Sequence, residues 1–162
     1  MRVLVTESLS ERGLEVLNED FEVDVREELA KGDLIGEIAP YDALVVRSGT
    51  KVTAQVIEAG ENLKVIARAG IGLDNVDVDA ATRRGIVVLN APQSNIVSAA
   101  EHTVALLLAQ ARWLPQANAS LKSGLWERSK YNGVELQSKT LGLVGLGRVG
   151  SLVAQRMLAF GM

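Results

Sequence analysis

The chain has 162 residues, of which 48% are hydrophobic and 23% charged, a profile that lets a globular protein bury roughly two thirds of its unfolded surface. It lacks cysteine and carries a net charge of -3, which excludes disulfides, thiolate metal sites and a thiol nucleophile, and leaves no basic footprint for nucleic acid. No apolar run reaches the roughly 18 residues that span a bilayer, and Met1 leads at once into Arg2, Val3, Leu4 and Val5 rather than into a signal sequence; no membrane association is expected, and the cytoplasm is the expected compartment.

Residues 2–5 read as a strand, and Ser8 with Glu11 reads as a capping box opening a helix that runs to residue 17. A strand at 21–25, a short helix at 34–38 and a strand at 43–46 follow, then a helix at 53–59 that closes on Gly60. A fourth strand is expected at 65–67, a helix at 78–84 stopped by Gly85, and a fifth strand at 86–89 ended by Asn90, Ala91 and Pro92. Five strands alternating with helices imply an α/β unit, a flavodoxin-like parallel sheet covered on both faces.

Residues 98–113 form a helix too apolar all round to lie on a surface, so it is expected to cross between units or to pack on another chain. The segment 122–139 is polar and irregular. The apolar run 140–144 suits a buried strand, and 148–160 suits a helix with Val149, Leu152, Val153 and Met157 on one face. The chain therefore divides near Asn95, into domains 1–95 and 96–162.

Gly145, Gly147 and Gly150 fit G-x-G-x-x-G on that strand-to-helix turn. There Gly145 makes the tight turn, Gly147 lets backbone approach a pyrophosphate, and Gly150 lets the helix lie close on its strand. The helix N-terminus adds free N–H groups and about half a positive charge. Glycine-rich turns also serve packing alone, but the flanking strand and amphipathic helix favour nucleotide binding. An acidic ribose ligand belongs about 20 residues further on, beyond Met162.

In a parallel sheet, ligand groups gather at the carboxyl ends of the strands. Those ends carry Arg47, Ser48, Gly49 and Thr50, then 68–74 (RAGIGLD), then 90–95 (NAPQSN). Arg47 offers a planar fork for a carboxylate or phosphate, and the Gly70-Ile71-Gly72 turn can aim successive N–H groups at an anion. The plainer alternative is that Arg47 and Arg68 pair with nearby acids and the glycines only turn the chain. Two arginines and a glycine turn on one edge favour an anionic small-molecule site.

Arg47 with Val46 and Ser48, 67–77 (ARAGIGLDNVD), 90–101 (NAPQSNIVSAAE), Trp126-Glu127-Arg128 and the glycine turn, in that order, resemble the D-2-hydroxyacid dehydrogenases over essentially the whole chain. The resemblance implies a substrate-binding domain in 1–95 and the first strand and helix of a Rossmann NAD-binding domain in 96–162. It implies NAD as cofactor and oxidation of 3-phosphoglycerate to 3-phosphohydroxypyruvate, the first step of serine synthesis, by a homodimer or homotetramer without a metal. By the same resemblance Arg47 and Arg68 face the substrate, the turn of Ala69, Gly70, Ile71 and Gly72 receives its carboxylate, and Asn95 lies near the nicotinamide end. Gly145, Gly147, Arg148, Val149 and Gly150 hold the pyrophosphate. Ile71 also lies near the cofactor, where some relatives carry a hydroxyl residue, so a side-chain hydrogen bond is lost there.

The family's catalytic Arg, Glu and His follow the glycine turn, and no catalytic residue is matched in this segment. The only histidine, His102, lies beside Glu101, about 100 degrees round a helix, so the two form no dyad; it reads as a structural or interface residue. With its second sheet incomplete, the segment alone is expected to be inactive and to bind NAD weakly, while its first domain still folds and binds phosphorylated acids. Alternatives are a non-catalytic, redox-sensing NAD module on the same scaffold and a dehydrogenase for another D-2-hydroxyacid. A phosphorelay receiver needs acids after the first strand and an aspartate ending the third, where this chain has Thr6-Glu7 and Arg47. Lys122, Arg128 and Lys130 with Trp126 and Tyr131 mix basic and aromatic residues, but Glu127 interrupts them. They read as a solvated loop, or as a basic arm reaching the phosphate of a partner subunit's substrate.

Overall fold

A computed structural model describes residues 1–30 and 33–162. They fall into two compact units, Met1–Ser94 and Asn95–Met162. The first holds strands β1 (Arg2–Val5), β2 (Glu22–Val25), β3 (Ala43–Val46), β4 (Val65–Arg68) and β5 (Val87–Asn90). Its helices are α1 (Glu11–Asp20), α2 (Leu34–Glu37), α3 (Ala54–Ala59) and α4 (Val78–Arg83). All strand pairs are parallel, in the order β2-β1-β3-β4-β5. This is the flavodoxin-like order, which reverses between β1 and β3 and so places a crevice at their carboxyl ends.

Strand runs such as ALVV are apolar at every position because both sheet faces are covered. Leu4, Leu44 and Ile66 point to one face, where they are fully buried with Val56 and Ile57 of α3 and Ala80 and Ala81 of α4. Val3, Val5 and Val45 point to the other and pack with Leu14 and Leu17 of α1. The helices between strands are capped by their own side chains: Thr53 accepts from the Val56 N–H and Asp77 from that of Ala80. Gly85, at φ +69, takes the left-handed position that ends α4.

The expected capping box is displaced. The N-cap is Ser10, whose Oγ accepts from the Gly13 N–H, and α1 begins at Glu11. Ser8 stays in the loop after β1, where its carbonyl accepts from Arg47.

The second unit contains α5 (Ile96–Ala111), α6 (Leu114–Lys122) and α7 (Arg148–Ala159). Ala100 and Val104 of α5 are buried against Val153 and Met157 of α7, with Leu107 and Leu108 packed at the edge. Two expectations are corrected here. The long helix ends at Ala111 because Trp113 turns left-handed (φ 53), and Pro115 then suits the first turn of α6, a helix the polar composition did not suggest. The run 140–144 is not a strand: it has no ladder partner among the described residues, and Val144 is fully exposed. Val97 and Leu106 of the long helix are about half exposed. No helix among the described residues is long and apolar enough to cross a membrane.

Candidate functional site

The loops leaving β1 and β3 meet at the crevice. The Thr6 and Thr50 hydroxyls lie 2.8 Å apart and are buried. The Glu7 carboxylate accepts the N–H groups of Arg47 (2.8 Å), Thr50 (2.9 Å) and Gly49 (2.9 Å). Successive N–H groups of this kind make an anion-binding concavity, and the chain's own carboxylate fills it. From the other side Asn75 Nδ2 donates to the carbonyls of Arg47 (2.7 Å) and Thr50 (2.6 Å). A β-bridge between Val52 and Val76 fixes the end of the same loop.

Burial pushes the Glu7 carboxyl up, but the N–H groups of Thr50, Gly49 and Arg47 outweigh it and hold it below the ordinary glutamate value. A depressed folded pKa contributes stability above the unfolded value, about 4.3, and that contribution is lost as pH falls through the folded value. Thermal melts should therefore show Glu7→Gln less stable than the wild type at neutral pH, with the gap closing as pH falls below the ordinary glutamate value. A gap independent of pH would mean that ionised Glu7 is not what the loop binds.

Arg47 is exposed, and its guanidinium donates to the Ser8 carbonyl at 3.2 Å. Arg68 is different: its side chain is only 10% exposed and Nη1 donates to Asp74 at 2.7 Å. That is the plain ion pair, so most of its charge is answered within the chain, although Nε is buried without a partner. A Cβ on Gly72 would stand 2.8 Å from both Arg68 Nη1 and Asp74 Oδ1, so a side chain there would have to displace the ends of this pair.

The turn after β4 is tied down by four hydrogen bonds. Ala69 N–H donates to Val46, Gly70 N–H to Arg68, Ala91 N–H to the Gly70 carbonyl and Asn90 Nδ2 to the Ile71 carbonyl. Among the described residues, only the N–H groups of Ile71 and Gly72 in this turn make no hydrogen bond. The donors that this turn leaves open are thus two. Beside the loops lies an open recess of about 420 Å³ lined by Ser48, Lys51, Asp74 and Asn75.

In the second unit each glycine of the turn has its own reason. Gly145 has φ +95, which favours glycine. Gly147 caps α7 in an extended conformation, and a Cβ there would meet nothing within 4 Å. That open space is what a closely approaching pyrophosphate needs. A Cβ on Gly150 would collide with the Gly145 carbonyl oxygen, so the close approach is to the turn itself and not to a strand. Arg148 and Val149 form the first helical turn, with Val149 packed inward; what they can offer an anion there is backbone N–H and helix polarity. These residues fit a dinucleotide pyrophosphate. Asn95 begins α5 and its side chain makes no capping bond.

His102 is exposed, and Glu101 pairs with Arg156 at 3.5 Å. Lys130 is tied to Glu127 at 3.2 Å, Glu127 also accepts from Ser120, and Trp126 is exposed, the picture of a solvated loop. Glu7, Thr6 and Asn75 are the site residues that sequence reasoning missed. The one signal was an acid two residues after β1.

The chain belongs to the D-isomer specific 2-hydroxyacid dehydrogenases, whose catalytic-domain model matches residues 3–159. It is 53% identical to the D-3-phosphoglycerate dehydrogenase of Archaeoglobus fulgidus and 54% identical to that of Methanocaldococcus jannaschii, each over 100% of this chain and 31% of the relative. It thus spans about a third of the length of these relatives. Among solved structures it resembles the TT0316 protein from Thermus thermophilus, with TM-score 0.93 and 40% identity over 100% of this chain and 54% of that one. It also resembles D-lactate dehydrogenase from Aquifex aeolicus complexed with NAD and lactic acid, with TM-score 0.84 and 27% identity over 100% of this chain and 49% of that one.

Proposed function

We propose that this chain is the substrate-side part of an NAD-dependent dehydrogenase that oxidises D-3-phosphoglycerate to 3-phosphohydroxypyruvate, the first step of serine synthesis, in the cytoplasm. The observation that carries this reading is the pairing, on one sheet edge, of an exposed Arg47 with the two unbonded N–H groups of Ile71 and Gly72. The substrate has two anionic groups. Ile71 and Gly72 receive the carboxylate, Arg47 contacts the substrate through its fork, and Ala69 and Gly70 hold the turn against β3 and β5. Arg68 keeps the turn in shape through Asp74, and Asn95 faces the nicotinamide end. Gly145, Gly147, Arg148, Val149 and Gly150 present N–H groups and open backbone to the pyrophosphate. Bound NAD supplies the hydride acceptor. No residue of this chain is assigned the proton transfer.

A second reading, a dehydrogenase for another D-2-hydroxyacid, is favoured by one fact: with Arg68 paired to Asp74, a single guanidinium faces two anionic groups. NADH absorbance with the full-length protein on 3-phosphoglycerate, D-glycerate and D-lactate separates the two. A preference for the phosphorylated acid of about tenfold or more in kcat/KM supports the first reading; a preference for D-lactate or D-glycerate supports the second. NAD binding without turnover of any acid would leave a non-catalytic module.

We further propose that copies of the protein associate through the second unit. Val97, Leu106, Trp113 and Leu114 are each at least 42% exposed, a concentration of apolar surface that marks an interface. Leu107 and Leu108 turn inward and take no part. The full-length protein should sediment as a dimer or tetramer at micromolar concentration, and a monomer would remove this face as an interface.

A further inference from the structure

Resting on the functional reading above, we propose that Glu7 is a positioning residue for the substrate: its carboxylate holds the 47–50 loop in the one shape from which the Arg47 side chain reaches the bound acid, and it closes that loop's own N–H groups to the substrate anion.

The geometry follows from the sheet. Val5 and Val45 are paired rungs of β1 and β3, and Thr6 N–H donates to the Val45 carbonyl, so Glu7 leaves the ladder directly beside Arg47. Three N–H groups then converge on it within 2.9 Å. Only a carboxylate meets this demand, because its two oxygens accept several donors at once while an amide side chain offers one acceptor and an NH2 group. The carbonyls of Arg47 and Thr50 are taken in turn by Asn75. With three N–H groups answered on one side and two carbonyls on the other, the ends of the loop are fixed, and its exposed charged group is the Arg47 guanidinium. Without Glu7 the same N–H groups would form an empty concavity that competes with Arg47 for the substrate's negative charge. A preorganised loop spends less of the binding energy on ordering itself.

The test uses the full-length protein. Glu7→Gln keeps the shape but sets an NH2 group against an N–H donor. Its Kd and KM for 3-phosphoglycerate should rise about tenfold, the scale of one charged hydrogen bond lost, while kcat and the calorimetric Kd for NAD stay within about threefold. Glu7→Asp, which keeps the charge, should fall between the two. Gly49→Ala presses on the same carboxylate, since its Cβ would stand 2.9 Å from Glu7 Oε2; it should raise Kd in the same direction, and the double variant by less than the product of the singles. Unchanged Kd and KM with a lowered Tm would overturn the inference, reducing Glu7 to a fold-holding residue. Equal losses in Kd for NAD and for the acid would overturn it as well. Each variant is compared with the wild type on 3-phosphoglycerate, D-glycerate and D-lactate. A wild-type preference for an unphosphorylated acid then counts against the substrate reading, while the change in Kd on the preferred acid still decides the role of Glu7. Binding of none of the three acids by the wild type would overturn both.

Discussion

Arg47→Lys in the full-length protein is expected to raise KM for 3-phosphoglycerate about 30-fold, or about 2 kcal/mol, with the affinity for NAD unchanged. Lysine keeps the charge and loses the planar fork, so the loss measures the geometry of the contact. The backbone should not move. Arg47 N–H remains bound to Glu7 and its carbonyl to Asn75, and the guanidinium gives up only a 3.2 Å bond to the Ser8 carbonyl. Steady-state kinetics with calorimetric titration of NAD check this. Unchanged KM would take Arg47 out of the site and leave the Ile71 and Gly72 N–H groups as its only donors.

The sheet was legible because β1, β3 and β4 are short apolar runs between turn residues, and because Thr53, Gly60 and Gly85 punctuate the helices where local physics places them. The start of α1 was not. Ser8, with Glu11 three residues on, carries the capping-box signature, but Arg47 binds the Ser8 carbonyl from 39 residues away and the cap falls to Ser10. The break at Trp113 was hidden for a related reason: a left-handed tryptophan has no local signature. The run 140–144 has a strand's composition, but a strand exists only through a neighbour's hydrogen bonds.

The site divides in the same way. Gly145 and Gly150 were legible because local geometry demands a glycine at each, whereas Arg47 and Gly147 were read from their place at a strand end and in the glycine motif. Glu7 and Asn75 were not, because their bonds to the loop span 25 to 43 residues, and no spacing rule reaches that far. Arg68 was legible in both senses, as a candidate ligand and as a partner of an acid six residues on, and the structure shows the second.

The glycine turn yields the sharpest contrast between two substitutions that look alike in sequence. Gly150→Ala puts a methyl group into the Gly145 carbonyl oxygen. The turn cannot yield easily, because Gly145 already sits at φ +95, so the N-terminus of α7 must shift and carry with it Val149 and Val153, which pack in the second core. Overpacking of this kind costs about 1–3 kcal/mol, and the variant should lose both thermal stability and NAD affinity, the latter by up to about 100-fold. Gly147→Ala has nothing within 4 Å to strike, at φ -80 and ψ -156, a conformation open to any residue. It should leave Tm within about 1 °C of the wild type, as surface changes do, yet weaken NAD because the methyl group stands where the pyrophosphate comes closest. Differential scanning fluorimetry beside calorimetric titration reads both quantities. The affinity for 3-phosphoglycerate, proposed to bind at the first unit, serves as the internal control, since neither glycine belongs to that unit. A Gly147→Ala protein that binds NAD as the wild type does would show that the glycines here serve only the packing of the turn.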